Sequence, residues 1–378
     1  MTQKMDGTAP AAKRKPHVPS WDVLRTAAFA AVAAQHILGA YARRPEIGLN
    51  EKLVIAVLFE PIRFAVPMFV FLFGAALFYV HTDRPRYLPY LGKRLRQLAL
   101  PYVLWSVVYL LYTEKPVTLR TVVRSVLYGD ADYHLWYVPM IFQFVLVMPL
   151  FFLVRDALRR RCGTRQRAAL VLVGLFAVWL VLLAWHPTGR IAQQLLVTWR
   201  TRIFVPWLGY FAMGALCGLF TAVFTAWARR LLVLTGLLFV GSAGYAAYLS
   251  VRAVQNTGAV NFSCVSFLSP VYAVMTLAAI LFLYGLAEWL AQVRPICKLC
   301  GFVGRHSYQA YLAHVLVLTS CSLELLQAQP EINRYVFYAV LTVCTLVGAV
   351  LIAWGVDSAA AALRRCGKRI FGHPASVK

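Results

Sequence analysis

Ten stretches of about 20 mainly apolar residues recur along this chain of 378 residues, joined by short polar segments. Their approximate centres lie in 20–41, 55–80, 96–113, 134–154, 167–185, 202–222, 230–250, 267–287, 305–323 and 335–357. A helix of that length matches the hydrocarbon thickness of a bilayer, where every backbone N–H and C=O has to be bonded within the protein. The expected architecture is therefore an all-α, polytopic membrane helix bundle of about ten transmembrane helices. With 61% hydrophobic and 14% charged residues and a mean hydropathy of +0.66, the chain is too apolar for an ordinary soluble domain.

The 38 Lys and Arg outnumber the 14 Asp and Glu, for a net charge of +24. Their placement sets the orientation. If the N-terminus is cytoplasmic, the two tails and the loops near 81–96, 155–167, 223–230 and 288–305 hold more than twice the Lys and Arg of the opposite loops, as the positive-inside rule requires. Both termini are thus expected to be cytoplasmic, with residues 1–19 a disordered basic tail, 20–357 the transmembrane domain and 358–378 a second basic tail. Small residues in "AFAAVAA" would suit a signal-peptide cleavage site, but the long polar leader and the apolar run continuing through Leu38 fit a retained helix better. Two basic clusters, "RPRYLPYLGKRLR" at 84–96 and "RDALRRRCGTRQR" at 155–167, face the same side and suit anionic lipid or a polyanionic ligand. No base-stacking or recognition-helix pattern accompanies them, so nucleic acid is not an expected partner.

Eight cysteines are scattered through spans and loops, which argues against a disulfide framework. Cys297 and Cys300, with His306 nearby, form one CxxC without a second pair, and no metal site is expected. P-loop, GxSxG and HExxH patterns are absent.

Polar residues inside the apolar runs are the candidates for chemistry, because a charge at the bilayer centre costs about 2.5–3.5 kcal/mol on insertion scales and is retained beside a partner or a cavity. In the first run Arg25 and His36 lie eleven residues apart, so they share a helical face about 16 Å apart along the axis. In the second, Glu60 and Arg63 sit at i,i+3, and Pro61 and Pro67 interrupt the helix. Asp132, His134, Trp136 and Tyr137 open the fourth run as a polar-aromatic mixture suited to an interface belt. Ser307, Tyr311 and His314 share one face of the ninth at i, i+4 and i+7, where polar side chains commonly tie helices together.

In order, Arg25-x10-His36, "RFAVPMFVFLFGAAL", "KRLRQLALPYVLW", "HLWYVPMIFQFVLVMPLF" and "GRHSYQAYLAHVLVL" resemble the integral-membrane acyltransferase family 3 over roughly residues 20–320. Members of that family O-acylate bacterial envelope glycans and other acceptors. The resemblance implies an O-acyltransferase of the bacterial cytoplasmic (inner) membrane, taking an acyl group, acetyl by expectation, from cytoplasmic acyl-CoA to a carbohydrate or glycolipid acceptor. No cofactor is held permanently on this reading. The family's first-span arginine and histidine fall on Arg25 and His36, its second-span arginine on Arg63, and its basic residues before the third span on Arg94 and Arg96. One departure is that Phe73 precedes Gly74 where the family commonly has Ser-Gly. No esterase-type extracellular domain is expected after the tenth span.

A neutral histidine near its ordinary pKa suits removal of a hydroxyl proton, so His36 is the candidate general base. Arginine pairs with phosphate through two parallel N–H groups, so Arg25, Arg94 and Arg96 are the candidates for holding CoA. An acyl-histidine route is equally open at this point. Arg63, His134, Trp136, Tyr311 and His314 are candidates for substrate contacts, and Tyr311, His314 and Arg63 for the oxyanion donor. An exporter of an envelope glycan or lipid-linked precursor would also use intramembrane ionisable residues and proline-broken helices, and a scaffold without chemistry would use them only to join helices.

Overall fold

The computed structural model describes residues 15–44, 46–161, 165–184, 201–267, 269–328 and 333–371. Residues 1–14 of the first tail, Cys162, the polar connection 185–200 and residues 372–378 lie outside the described residues. Every described regular element is helical: α1 (Pro19–Tyr41), α2 (Leu49–Phe59), α3 (Ala65–Val80), α4 (Tyr87–Arg94), α5 (Leu100–Tyr112), α6 (Leu119–Tyr128), α7 (Tyr137–Leu146), α8 (Met148–Arg161), α9 (Arg165–Ala184), α10 (Leu208–Leu219), α11 (Thr221–Arg230), α12 (Leu232–Thr257), α13 (Pro270–Leu290), α14 (Arg294–Ala328) and α15 (Arg334–Phe371).

Among the described residues, six helical stretches are continuous and apolar enough to cross a bilayer: Pro19–Tyr41, Leu49–Val80, Tyr87–Tyr112, Leu232–Thr257, Pro270–Leu290 and Arg334–Cys366. Two bent pairs, α7 with α8 at 52° and α10 with α11 at 111°, raise the number to eight if each is one span. Helices occupy all ten expected segments, but two fall short of the criteria. The apolar part of α9 is only Leu170–Ala184. In α14 the inner stretch carries exposed Arg305 together with His306, Gln309 and His314, which bond protein groups, and these four dilute its hydropathy. At the far end, α15 runs on as helix through Phe371, well past residue 357, where a tail was expected to begin. The run Ala359–Ala362 supplies the strongest helix former just where the apolar pattern stops.

The breaks have local causes. Proline cannot donate to the carbonyl four residues back. Pro67 therefore frees the carbonyl of Arg63, which accepts instead from the Tyr272 hydroxyl at 2.8 Å. The adjoining Ile62 carbonyl accepts from Gln35 Nε2 at 2.8 Å. A 3-10 turn at Pro61–Phe64 thus joins α2 to α3 with its exposed backbone bonded to α1 and α13, as an interrupted membrane helix requires. Between α7 and α8, Pro149 has the same effect, and Gln143 anchors the bend by bonding the Arg202 carbonyl at 2.8 Å and the Phe204 N–H at 3.1 Å.

Helices α3 and α10 pack with their backbones almost touching. A Cβ at Gly74 would collide with the Phe211 carbonyl, at Gly214 with the Phe71 carbonyl, and at Gly218 with the Ala75 carbonyl. Only glycine allows that approach, the small-residue spacing familiar from membrane helix pairs. Phe73, in place of the family's serine, lies half-buried against Phe144 and Phe211, with ring centroids 6.3 and 6.2 Å away. Phe73, Phe144, Phe151, Phe204 and Phe211 form an aromatic cluster at this place.

Helix α14 lies between α1 and α15 and organises the centre. Near its start Gly304 leaves room for Asp22 of α1, and His306 pairs with Asp357 of α15 at 2.6 Å. Helix α5 crosses it farther along, where Trp105 Nε1 donates to Gln309 at 2.9 Å. There the Tyr109 hydroxyl donates to the Leu312 carbonyl at 2.8 Å and accepts from the Leu316 N–H at 3.1 Å, so it inserts into the hydrogen-bond ladder of α14. The turn so opened carries His314.

Candidate active site

Three histidines from distant parts of the sequence meet at one place. His36 comes from the last third of α1, His134 from the turn before α7, and His314 from the opened turn of α14. Their ring centroids are 5.1 Å apart for His36 and His314, 5.0 Å for His134 and His314, and 6.3 Å for His36 and His134. His134 and His314 are buried, at 2% and 0% exposure, whereas His36 is partly open. Tyr133, 57% exposed, stands edge-on to His36 at 5.0 Å and marks the opening.

Two of the rings are fixed by their neighbours. His134 Nδ1 lies 3.3 Å from Asp132 Oδ1, a long but charge-assisted contact, and Asp132 also accepts from the Tyr133 N–H at 2.6 Å. His314 Nδ1 lies 2.5 Å from the Tyr311 carbonyl. Carboxylate and carbonyl oxygens only accept, so both Nδ1 atoms donate. In the neutral imidazole each Nε2 then carries a lone pair. Among the described residues neither Nε2 has a hydrogen-bond partner. Tyr109 and Tyr311 pack on His134 at 5.0 and 5.7 Å, but their hydroxyl protons are committed to the Leu312 and His134 carbonyls. Among the described residues no group of three His, Cys, Asp or Glu side chains is arranged around a metal position.

The expected residues separate into three groups. His36, His134, Tyr311 and His314 come together with Asp132, named with His134 at the start of the fourth run; Tyr109 and Tyr133 join them without having been singled out from the sequence. Asp132 is two residues from His134, and an acidic neighbour of a histidine was the available signal. Tyr109 gave none, because an aromatic near a span end reads as an interface anchor.

Arg63 stands apart. Its side chain is 0% exposed and its Nη1 is 2.8 Å from Glu60 Oε2, while Glu60 Oε1 accepts from Ser250 at 2.7 Å. Phe267, Tyr272 and Phe59 cover the guanidinium at 4.5, 5.0 and 5.8 Å. It makes no ring or hydrogen-bond contact with the histidines. Trp136 is half-buried and packs on Trp207, with centroids 5.9 Å apart, as a wall residue.

Arg25 occupies the start of α1. Its Nη1 lies 2.6 Å from Asp22, a nearly buried carboxylate that also pairs with His17 at 2.8 Å. Residues 15–18 run along this end of the bundle, with Tyr79 donating to the Pro16 carbonyl at 3.0 Å and Lys15 over the Tyr79 ring at 4.9 Å. Arg94 stacks on Tyr90 at 5.2 Å, with His81 on the same ring at 5.6 Å. Arg96 points outward and its Nε bonds only the Gly92 carbonyl, at 3.4 Å. Arg25, Arg94 and Arg96 share no hydrogen bond or ion pair among the described residues. In the second basic cluster, Arg155 is used structurally, stacking on Phe152 at 4.6 Å and donating to the Thr82 carbonyl at 2.8 Å, while Arg159, Arg160 and Arg161 remain exposed.

No curated protein sequence and no solved structure matches the chain. A family model does: the one described as an acyltransferase domain matches residues 18–354, which takes in every helix carrying the histidine cluster and Arg25. With nearly the whole chain matched, the protein belongs to the integral-membrane acyltransferase family 3 and is an acyltransferase for groups other than aminoacyl groups.

Proposed function

We propose that this protein moves an acyl group, acetyl in the simplest case, from acyl-CoA on the cytoplasmic side of a bacterial inner membrane to a hydroxyl of an envelope carbohydrate or glycolipid. The observation that carries this reading is the position of His36, partly open, beside two buried imidazoles and eleven residues along α1 from Arg25. That offset, about 16 Å, suits an extended pantetheine arm whose phosphates rest near the start of α1 and whose thioester reaches the imidazole. Arg25, with Arg94 and Arg96 near the same end, supplies the positive charge for those phosphates.

In the reaction so proposed, neutral His36 takes the proton of the acceptor hydroxyl as its oxygen attacks the thioester carbonyl carbon. The C–S bond breaks, and the departing CoA thiolate takes the proton from the imidazolium. Ester and free CoA are the products, and the histidine is regenerated. The test is acceptor-dependent CoA release by detergent-solubilised protein given labelled acetyl-CoA and envelope glycans. His36→Gln should abolish transfer while leaving folding and donor binding intact, because an amide cannot act as base. Wild-type transfer by His36→Gln would remove the base assignment.

The bent pairs at 52° and 111° favour a second reading, export of a glycan by alternating access. An exporter makes no covalent product. Movement of an intact glycan across reconstituted vesicles, with no CoA release from any donor, would put that reading first.

A further inference from the structure

Every buried polar atom needs an account, because an unpaired one costs free energy comparable to a lost hydrogen bond. The Nε2 atoms of His134 and His314 are two such atoms at one place, on rings with centroids 5.0 Å apart. Their tautomers are set from behind by the Asp132 carboxylate and the Tyr311 carbonyl. Both therefore present lone pairs, and both ask for a donor. Among the described residues none is supplied: the Tyr109 and Tyr311 hydroxyls are spent on the Leu312 and His134 carbonyls. A phosphate or carboxylate offers only more lone pairs, and Asp132 adds a negative charge beside the cluster. Among the described residues no Lys or Arg bonds or stacks on these rings to receive an anion.

Hydroxyl groups fit where anions do not. His36, 5.1 Å from His314 and 6.3 Å from His134, takes the hydroxyl that reacts, so neighbouring hydroxyls of the same molecule fall to the other two rings. Tyr133 at the opening provides an aromatic surface for the C–H edges of a ring, while buried Tyr109 and Tyr311 back the His134 imidazole. We propose, on the foundation of the acyl-transfer reading above, that His134 and His314 form a hydroxyl-binding subsite, accepting hydrogen bonds at Nε2 from hydroxyls that flank the acylated one. The acceptor is then a neutral, polyhydroxylated ring at this point, and the subsite sets which of its hydroxyls meets His36. Asp132 is a positioning residue for it, acting through His134.

The experiment compares acceptors and variants in nanodiscs, reading acetyl-CoA-dependent CoA release. The acceptors are methyl β-D-glucopyranoside, its monodeoxy analogues and cyclohexylmethanol, which has one hydroxyl. The variants are His134→Leu, which removes the lone pair, and His134→Gln, whose amide oxygen restores an acceptor near the Nε2 position; His314→Gln and His314→Leu repeat the comparison should a His134 variant fail to fold. His134→Leu should raise KM for the glycoside roughly 5- to 100-fold with kcat little changed, the range for leaving one buried partner unmatched. His134→Gln should recover most of that loss, and cyclohexylmethanol should not distinguish the variants. At least one deoxy analogue should be insensitive to His134→Leu, having already lost the hydrogen bond. Equal KM for the glycoside in wild type and His134→Leu would leave the two Nε2 atoms to a bridging water only and overturn the subsite. A kcat loss shared by Leu and Gln would overturn it in favour of a proton-transfer role. If wild type releases CoA with none of the acceptors, the proposed transfer from acetyl-CoA to a neutral glycan fails and the subsite with it.

Discussion

Arg25 and Asp22 are one turn apart on α1, 2.6 Å from nitrogen to oxygen, and Asp22 is held against α14 at a place where a Cβ on Gly304 would stand 2.8 Å from its Oδ1. The carboxylate is 5% exposed and the guanidinium 28%, so Asp22 aims the arginine and leaves part of it free. The role proposed for Arg25 as a phosphate anchor therefore depends on a residue that does not touch the donor. Asp22→Asn should raise KM for acetyl-CoA by roughly 3- to 10-fold, a modest figure because the pair is partly solvated. Arg25→Ala should raise it further. Tighter donor binding by Asp22→Asn would mean that the carboxylate competes with the phosphates instead of orienting their anchor.

The Glu60–Arg63 pair is a structural brace on this geometry. Both side chains are at most 1% exposed; Glu60 also accepts from Ser250, and aromatic faces cover the Arg63 guanidinium. Removing one partner strands a buried charge, at a cost of about 3–5 kcal/mol. Glu60→Leu and Arg63→Leu should each lower thermal stability in detergent by that order, while the double substitution should cost less than either alone. Additive losses would show that the two groups act independently.

Contact between α3 and α10 rests on glycine in the same way that the brace rests on charge. Gly214→Ala has to push apart two backbones that meet at the Phe71 carbonyl, and should destabilise by about 1–3 kcal/mol. Gly39→Ala in α1 is the control, since nothing lies within 4 Å of its Cβ position. The measurement is the midpoint of thermal aggregation for both variants, and equal midpoints would deny the close approach any energetic weight.

The helices were legible in the sequence because apolar runs leave the backbone no alternative in a bilayer. Span number was less so: a helix such as α14, lined with His306, Gln309 and His314, is apolar only on the faces away from its partners, and hydropathy averages over all of them. At the site, Arg25 and His36 could be read from their spacing on one helix, and His134 and His314 from being polar residues inside apolar runs. What the sequence could not supply was their convergence, since 98 and 180 residues of chain separate the three histidines in order. Nor could it show that Arg63 would be enclosed by Phe267 and Tyr272, residues two hundred positions away whose partners depend on tertiary packing alone.

His81, just past the end of α3, reports on the proposed donor site from outside the span. Its pKa is lowered, first by burial and then by the nearby charges of Arg94 and Lys93. Folded protein thus binds a proton less readily than the unfolded chain, so below the ordinary value of 6.5 stability falls as pH drops, until the folded-state His81 also protonates. His81→Gln should remove that part of the acid-side loss. Of these two cations Arg94 is offered to the CoA phosphates in the proposed function, and a bound anion beside it would offset the repulsion of the imidazolium. Adding CoA should therefore raise the His81 pKa, read from the imidazole C–H resonances of selectively labelled protein across a pH titration. Arg94→Gln should raise it without CoA and reduce the further rise on adding it. If CoA binds in an Arg25-dependent way yet leaves the His81 titration unmoved, Arg94 lies outside the donor site.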